Sequence, residues 1–354
     1  MPKVSVLMSV YNGEIYLQGA IESILKQTFQ DFEFLIINDG SKDSTPQILS
    51  EHAAKDPRIV VIHNETNIGL DRSLNKGIER ACGEYLARID ADDLSLPERL
   101  QQQVAFLDAH TEIGAVGTAV EIIDERGVSV GKEYPPVKPE SVKVSLLINN
   151  YLHHCSMMLR THLVRQVGGY DETKRYVEDY DLWWRLSRVS GVANLPDVLS
   201  QRRYSGKSIT WTNRQAMLNA ALGISLNAVQ ESLQAQLDEE SYKRFWWSYH
   251  SQRENLHVES ALRSHDIAKL KPFWQFLSTC TAGSEFWGPR LRTLAYNLLR
   301  RKHTLEGLQL LWIATHQLKT PMLWRSTLKS LIKPYIPEVG QQIWRNQQLK
   351  QSGN

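Results

Sequence analysis

Three short stretches of the sequence carry acidic side chains at spacings that suit chemistry on a charged substrate. The first, residues 90–93, reads Asp-Ala-Asp-Asp and places the carboxylates of Asp90 and Asp92 at positions i and i+2. Both can reach one hard cation, since Mg²⁺ or Mn²⁺ prefers oxygen ligands and commonly bridges carboxylates to substrate phosphates. Such a cation can neutralise a leaving diphosphate. The alternative interpretation is a solvated turn before a helix.

The other two stretches add a polar turn and a candidate base. Residues 38–44 read Asn-Asp-Gly-Ser-Lys-Asp-Ser and include Asp39; alone, this pattern is also typical of an Asx-turn and a helix entry. Glu178 and Asp179 lie at the start of a predicted helix, where helix capping is the alternative role for acidic residues. Transfer of a group to an alcohol needs a base for the hydroxyl proton, and a carboxylate facing a cavity can accept it.

The elements that position these residues alternate between short apolar runs and helical patterns. We predict strands at residues 4–10, 32–38, 58–63, 84–89 and 113–123, and helices at 14–27, from Thr45 as N-cap, at 70–81 and from 95–98 onward. This alternation is typical of βαβ units on a mainly parallel sheet flanked by helices. Because loops after the carboxyl ends of parallel strands share one edge, the stretches 38–44 and 90–93 are expected to meet there.

The remainder of the chain is less regular and then becomes helical. We predict a helix at residues 140–148, a strand at 154–159, a turn at 168–170 and a helix at 180–189. Past Trp211 the sequence is helical and rich in Gln, Leu and Trp. We therefore assign residues 1–215 to an α/β domain and residues 216–354 to an α-helical C-terminal extension that is basic and Trp-rich.

Length and composition restrict the class of protein. The 354 residues, 42% of them hydrophobic and with a formal net charge of +2, suit one large domain with an appendage. Three cysteines far apart form no disulfide framework and fit a reducing cytoplasm. The strand-like run from Val4 leaves no room for a signal peptide, and no apolar stretch reaches the ~18 residues of a membrane span. We therefore expect a cytoplasmic protein.

Five motifs, in this order, resemble those of the family 2 glycosyltransferases of the GT-A fold. The resemblance covers roughly residues 1–210. Each motif alone has low specificity, whereas five in order at plausible spacing are highly specific. They are the segment 4–12; Asn38-Asp39-Gly40-Ser41 with Asp43 and Ser44; Asn67, Gly69 and Leu70 with Leu74, Asn75 and Gly77; Asp90, Asp92 and Asp93; and Glu178-Asp179.

The resemblance implies an activity and a set of roles. It implies inverting transfer of a sugar from a nucleotide-diphosphate sugar, usually a UDP-sugar, to a hydroxyl of a carbohydrate or lipid-linked saccharide in cell-surface polysaccharide synthesis. Mn²⁺ or Mg²⁺ would be the cofactor, with Asp92 as its main ligand. Asp179 would be the catalytic base. The nucleotide-binding residues would be Val10, Tyr11, Asp39, Asp90 and Ala91.

Four further residues are assigned to the acceptor or donor-sugar region. Glu178 lies beside the base, and His154 resembles the family's His-x-Ser segment, with a hydrogen-bonded strand histidine as the alternative. Trp183 could stack on a sugar ring, although its spacing with neighbouring leucines also fits a buried helix face. Arg203 could contact the diphosphate, with a solvated basic loop as the alternative.

The C-terminal region has an uneven charge. From Gly288 onward it carries eleven Lys or Arg against two acidic residues, a local excess of nine positive charges. Segments such as 291–301 and 324–332 mix basic residues with Leu and Trp, a pattern typical of helices that lie on an anionic membrane surface. This pattern favours peripheral contact with the inner face of the cell membrane; a helical bundle or a dimer interface is the alternative. No nucleic-acid-binding motif is recognisable.

Other classes of protein fit the sequence less well. A dinucleotide dehydrogenase needs GxGxxG in its first turn, where residues 10–14 read Val-Tyr-Asn-Gly-Glu. A nucleotidyltransferase is expected to have a glycine-rich, basic first loop, and an aspartyl phosphatase a nucleophilic Asp after its first strand. A nucleotide-sugar-binding scaffold without catalysis stays open, because a fold can be kept after its chemistry is lost.

Overall fold

The computed structural model describes residues 1–204, 213–233, 235–254, 262–279, 281–300 and 304–314. The chain divides into two compact units, Met1–Ala228 and Val229–Asn354. This division falls inside a helix, Arg214–Ser232, further along the chain than residue 215. The assignment of residues 1–215 and 216–354 to separate domains stays a prediction.

The first unit is an α/β structure. Its strands are β1 (Val4–Val10), β2 (Phe32–Asn38), β3 (Ile59–His63), β4 (Tyr85–Arg88), β5 (Leu94–Ser95), β6 (Ile113–Ile123), β7 (Ser129–Glu133), β8 (Met158–Arg160) and β9 (Gly191–Arg203). Its helices are α1 (Leu17–Leu25), α2 (Thr45–Lys55), α3 (Leu70–Arg80), α4 (Arg99–Ala109), α5 (Pro139–Ser145), α6 (Thr161–Gln166) and α7 (Glu178–Leu186), followed by α8 (Arg214–Ser232).

The described strands form one mainly parallel sheet in the order β3-β2-β1-β4-β8-β6-β9-β5, with β7 paired to β6. Strands β3, β2, β1 and β4 are parallel, so Val10, Asn38 and His63 lie side by side in the pairing register. Strand β8 runs antiparallel between β4 and β6, whereas β6 and β9 are parallel. The predicted sheet is confirmed, and the carboxyl ends of β1, β2 and β4 meet at one edge.

Burial explains why the central strands are continuous apolar runs. All seven residues of β1 are buried, because helices cover both faces of a parallel sheet. Helix α1 contributes Leu17, Ala20, Ile21 and Ile24, spaced i, i+3, i+4 and i+7 along one buried face. These residues join the apolar core between the sheet and its helices.

Two predicted helix starts are corrected by hydrogen bonds between loops. Helix α1 begins at Leu17 and not at residue 14, because the backbone N–H groups of Gly13 and Glu14 donate to side chains of the 43–45 turn. The N-cap of α2 is Ser44, not Thr45. The hydroxyl of Thr45 instead accepts the 2.9 Å hydrogen bond from Gly13 N.

The predicted strand at 154–159 is correct only in its second half. Residues His154–Ser156 form a turn of 3-10 helix, and the strand β8 starts at Met158. Strands β5, β7 and β9 were not predicted from the sequence. The β9 pattern is broken at Pro196, where the pairing with β6 skips from Leu195 to Val198, and Pro is confined to such irregular positions in sheets.

The second unit is helical in its described part. Its helices are α9 (Glu239–Glu254), α10 (Ser264–Lys269), α11 (Lys271–Thr279), α12 (Thr281–Arg300) and α13 (Thr304–Trp312). Several tryptophans serve its core: Trp246, Trp274 and Trp287 are fully buried. The charged pair Arg244–Asp266, 2.7 Å apart, ties α9 to α10. Among the helices the structure describes, none is both long and apolar enough to cross a membrane.

Candidate functional site

A cavity of about 560 Å³ opens at the carboxyl edge of β1, β2 and β4. Each of these strands ends in a polar loop that contributes to its wall. Residues after α6 and at the start of α3 close the other side. The lining residues are 9–13, 15–16, 39, 67, 69–71, 90–92, 175–176 and 178.

The cavity brings together most of the residues selected from the sequence. Val10, Tyr11, Asp39, Asp90, Ala91, Asp92 and Glu178 line it. Four other selected residues are not among the lining residues: His154, Asp179, Trp183 and Arg203. The catalytic, metal-binding and nucleotide-binding roles assigned to these residues stay predictions.

Asp39 is held rigidly in the wall of the cavity. Its Oδ1 accepts hydrogen bonds from Asn64 Nδ2 at 2.8 Å and from Ile68 N at 2.9 Å, and its Oδ2 accepts one from Gly69 N at 3.0 Å. Each carboxylate oxygen can accept about two hydrogen bonds, so Oδ2 keeps capacity for a ligand. The next residue, Gly40, has φ +71° and lies so close to the backbone of residues 66–67 that a Cβ would clash.

Asp90 is paired with a buried cation. Arg88, 1% exposed at the end of β4, donates from Nη2 to Asp90 Oδ1 at 2.5 Å and from Nη1 to the Ile89 carbonyl. Burial alone would raise the pKa of Asp90, but the adjacent guanidinium keeps the pKa below its usual value. Asp90 is therefore a fixed carboxylate at neutral pH.

The carboxyl groups of Asp92 and Asp93 are crowded by burial and by neighbouring negative charge, which raises the pKa of each. Desolvation, followed by the charge of Asp90, raises the pKa of Asp92 to about 6. The same two effects raise the pKa of buried Asp93 to about 8, although Asp93 accepts a 2.7 Å hydrogen bond from Arg203 N. A divalent cation would relieve this repulsion, and hard oxygen donors suit Mg²⁺ or Mn²⁺. Asp90 and Asp92, which line the cavity, fit as its ligands.

Cys155 lies behind this group. One ligand atom each of Asp90, Asp93 and Cys155 lies within 4.8 Å of the others. A thiolate suits softer ions than Mg²⁺. Burial and then the charge of Asp93 raise the pKa of the Cys155 thiol well above its usual value, which favours a protonated thiol that donates to Asp93 over metal ligation.

Glu178 and Asp179 begin α7 with differently oriented carboxylates. Glu178 lines the cavity, whereas Asp179 accepts from Asn150 Nδ2 at 2.8 Å and from Tyr180 N at 2.6 Å. Burial raises the pKa of Asp179 to about 6, with a further contribution from the charge of Asp90. Burial and then Asp179 raise the pKa of Glu178 to about 7. A carboxylate with a pKa near 6 is well matched to base catalysis at neutral pH.

His154 and Trp183 lie behind the cavity wall. His154 Nε2 is 2.7 Å from Tyr170 Oη, and burial lowers its pKa to about 3, so the imidazole is neutral. Trp183 is fully buried, its ring 6.0 Å from that of His154. A buried ring has no face to offer a sugar, so Trp183 packs in the core on a buried helix face, as its spacing with the neighbouring leucines also indicated, and the stacking interpretation is wrong.

Arg203 supports the acidic loop and does not face the cavity. Its Nε donates to the Asp92 carbonyl at 3.0 Å, and its Nη1 donates to the carbonyls of Asp124 and Glu125. The guanidinium carbon lies 4.2 Å from the ring centroid of Tyr16. With its Nε and Nη1 donors engaged and its side chain outside the lining of the cavity, Arg203 fixes the backbone that carries Asp92, and this geometry does not favour the predicted contact with a diphosphate.

Three residues that shape this site were not predicted from the sequence. Arg88 could have been noticed as a charged residue inside an apolar strand, since a buried arginine usually has a specific partner. Asn64, which bonds to Asp39, and Asn150, which bonds to Asp179, are distant in sequence from their partners. No local pattern identifies such pairs.

Comparison with known proteins agrees with this geometry. The family model described as "Glycosyl transferase family 2" matches residues 5–167. The putative glycosyltransferase EpsE of Bacillus subtilis is 40% identical over 188 residues, which cover 52% of this chain and 66% of EpsE. The amylovoran biosynthesis glycosyltransferase AmsE of Erwinia amylovora is 34% identical over 202 residues, 56% of this chain and 75% of AmsE. The match to EpsE thus spans just under two thirds of that relative.

Solved structures share the fold. The structure of S. aureus TarS 1-349 in complex with UDP-GlcNAc superposes with a TM-score of 0.56 at 19% identity, covering 87% of this chain and 89% of the TarS 1-349 chain. The mannosyltransferase PcManGT from Pyrobaculum calidifontis, in complex with GDP-Man and Mn²⁺, gives a TM-score of 0.50 at 17% identity, covering 92% and 88%.

The fold is that of the GT-A-type glycosyltransferases. The chain belongs to glycosyl transferase family 2. The prediction from the sequence that the protein is a glycosyltransferase is confirmed.

The two aspartates that are predicted to hold the cation should differ in their effect on stability. Asp90→Asn leaves the buried Arg88 guanidinium without its carboxylate, so we expect a loss of about 2–3 kcal/mol in the free energy of unfolding. Asp92 is exposed and crowded by like charge, so Asp92→Asn should change that free energy by less than about 0.5 kcal/mol. Urea denaturation of both variants without divalent cations measures the difference. Equal losses would contradict the structural role of the Arg88–Asp90 pair.

Proposed function

We propose that this protein transfers a sugar from a nucleotide-diphosphate sugar to a hydroxyl of a carbohydrate acceptor. One observation carries the proposal: Asp39, Asp90, Asp92 and Glu178, contributed by three separate segments of the chain, line a single cavity. We propose a UDP-sugar as the donor, with Asp39 on the nucleotide base and Val10, Tyr11 and Ala91 around the nucleotide. The UDP-GlcNAc and GDP-Man named for the TarS and PcManGT structures support a nucleotide-sugar donor.

The divalent cation belongs to this proposal. Mn²⁺ or Mg²⁺, when bound by Asp92 with Asp90 beside it, would supply positive charge that neutralises the departing diphosphate. The protein's own contribution is to fix the two carboxylates: Arg88 orients Asp90, and Arg203 holds the main chain of Asp92. Mn²⁺ in the PcManGT structure supports this choice of ion.

The acceptor hydroxyl is activated by Asp179 in this proposal. The hydroxyl oxygen attacks the anomeric carbon while the bond from that carbon to the diphosphate oxygen breaks. The electron pair leaves with the nucleoside diphosphate, and the hydroxyl proton passes to Asp179. A single displacement of this kind inverts the anomeric centre. Asn150 fixes the carboxylate of Asp179 by its 2.8 Å hydrogen bond, which leaves the second lone pairs available to a hydroxyl.

The biological setting we propose is the assembly of cell-surface polysaccharide, with a saccharide or lipid-linked saccharide as the acceptor. The printed name of AmsE refers to amylovoran biosynthesis, which supports this setting. A lipid-linked acceptor would suit peripheral contact with an anionic membrane. Leu305, Leu308 and Trp312, spaced i, i+3 and i+7 on α13, are each more than half exposed, and the sequence around them is basic.

A panel of nucleotide-sugars tests the proposed activity. One UDP-sugar should raise the melting temperature in the presence of Mn²⁺, and the same sugar should be transferred or slowly hydrolysed. Binding without turnover of any member would favour the non-catalytic scaffold, and pyrophosphate-dependent formation of a nucleoside triphosphate would favour a nucleotidyltransferase.

Replacing the proposed base separates chemistry from binding. Asp179→Asn should lower kcat by roughly 10²–10⁴-fold and leave donor affinity close to that of the wild type. Because the base must be ionised and the pKa of Asp179 is raised to about 6, wild-type transfer should increase with pH through about 6 and then level off. Initial rates between pH 5 and 8 check this. A rate that falls over that interval, or a nearly active variant, would exclude Asp179 as the base.

Membrane contact through α13 has its own test. Leu308→Glu should weaken co-sedimentation of the full chain with phosphatidylglycerol vesicles by about tenfold, because it removes apolar area and adds a repelled charge. Val130→Glu, at a similarly exposed apolar residue on β7, is the matched control. Equal vesicle binding by the two variants would rule out this surface.

A further inference from the structure

The charges that line the cavity are strongly unbalanced. Five lining side chains are carboxylates: Asp39, Asp71, Asp90, Asp92 and Glu178. Among the described residues that line the cavity, Arg175 is the single Lys or Arg. The diphosphate of a nucleotide-sugar brings about two further negative charges, so its binding needs positive charge from the protein as well as from a cation.

Arg175 is the arginine at this cavity whose guanidinium donors have no partner within the described part of the chain. It is exposed, and its guanidinium carbon lies 5.9 Å from the ring centroid of Tyr176. No carboxylate of the described chain forms an ion pair with it. The other arginines nearby are committed: Arg72 pairs with Glu172 at 2.8 Å, and Arg203 is bound to main-chain carbonyls.

The backbone around Arg175 is held in an unusual conformation. Tyr176 has φ +70°, the left-handed region that residues other than glycine rarely adopt. The turn is closed by Val177, which is buried and whose N–H donates to the Lys174 carbonyl at 3.2 Å. Strained backbone of this kind persists only where the surrounding structure maintains it, and it is concentrated at ligand and active sites. Here it places Arg175, Tyr176 and Glu178 on the same cavity.

We propose that Arg175 binds the diphosphate of the nucleotide-sugar donor and stays bound to the nucleoside diphosphate as it leaves. This inference rests on the proposed function and names a residue to which the family motifs assign no role. Planar guanidinium donors match phosphate oxygens in bidentate fashion. As the bond between the anomeric carbon and the phosphate oxygen breaks, the negative charge on that oxygen increases, and Arg175 stabilises it.

An anionic substituent on the acceptor or on the donor sugar is the rival ligand for Arg175. The diphosphate is favoured because the same cavity is also lined by Asp90 and Asp92, the carboxylates proposed for the cation, and by Asp39, which is proposed for the nucleotide base. The diphosphate is the part of the donor that the cation is proposed to bind, and it joins the nucleoside to the sugar. The two ligands are distinguished by whether Arg175 affects the binding of a nucleoside diphosphate without any sugar.

The test compares Arg175→Ala and Arg175→Lys with Lys174→Ala, a neighbouring cation that does not line the cavity. Calorimetry in Mn²⁺ measures the Kd of UDP and uridine, and of GDP and guanosine, for the full chain. Arg175→Ala should weaken binding of the preferred diphosphate by roughly 10- to 100-fold and leave the nucleoside unaffected. Arg175→Lys should recover part of the loss, and Lys174→Ala should match the wild type.

Two contrary results have different meanings. If Arg175→Ala binds the diphosphate with wild-type affinity, the role assigned to Arg175 is rejected and the proposed function is not affected. This holds whether or not the KM for the acceptor changes. Failure of the wild-type chain to bind either diphosphate would overturn the proposed function and this inference with it. Equal weakening of diphosphate and nucleoside binding would show a general disturbance of the cavity and would also reject the assignment.

Discussion

Electrostatic repulsion among carboxylates at one edge of the sheet is the constraint around which this site is built. Asp90, Asp92 and Asp93 follow a single strand, and the loop before α7 brings Glu178 to the same cavity. One of these charges is offset inside the protein, by Arg88, while the pKa values of Asp92 and Glu178 stay raised. Folding does not require such crowding, and perturbed carboxylates in a cleft are typical of functional sites. The site is therefore built to receive positive charge.

The loops that carry these groups are held in place by one another. Asn12 N donates to Ser41 Oγ, which links the loop after β1 to the loop after β2. Asp39 in turn accepts from the backbone at the start of α3. Arg203, at the end of β9, fixes the carbonyl of Asp92. The acidic side chains thus project from loops whose geometry is set before a ligand arrives, which lowers the cost of ordering them on binding.

The sequence predicted those features that local pattern determines. Strands β1, β2 and β4 were found because buried parallel strands are continuous apolar runs, and the acidic turns were placed at one edge because they follow such strands. Features set by distant partners were not found: the bulge of β9 at Pro196 and the 3-10 turn at His154. Arg203 shows the same limit, since its bonds join it to residues some 80 to 110 positions earlier.

Charge balance also determines how the ligands depend on one another. With five carboxylates and one guanidinium lining the cavity, a cation alone relieves repulsion among the carboxylates, whereas a nucleoside diphosphate alone increases the negative charge. Each ligand therefore binds more favourably when the other is present, and this coupling must be equal in both directions. Arg175 determines the strength of this coupling, because a guanidinium in the cavity reduces the part of the diphosphate charge that the cation has to neutralise. Two glycosyltransferases can share the motif aspartates and still differ in the charge balance of the cavity, because a residue outside the motifs contributes to that balance.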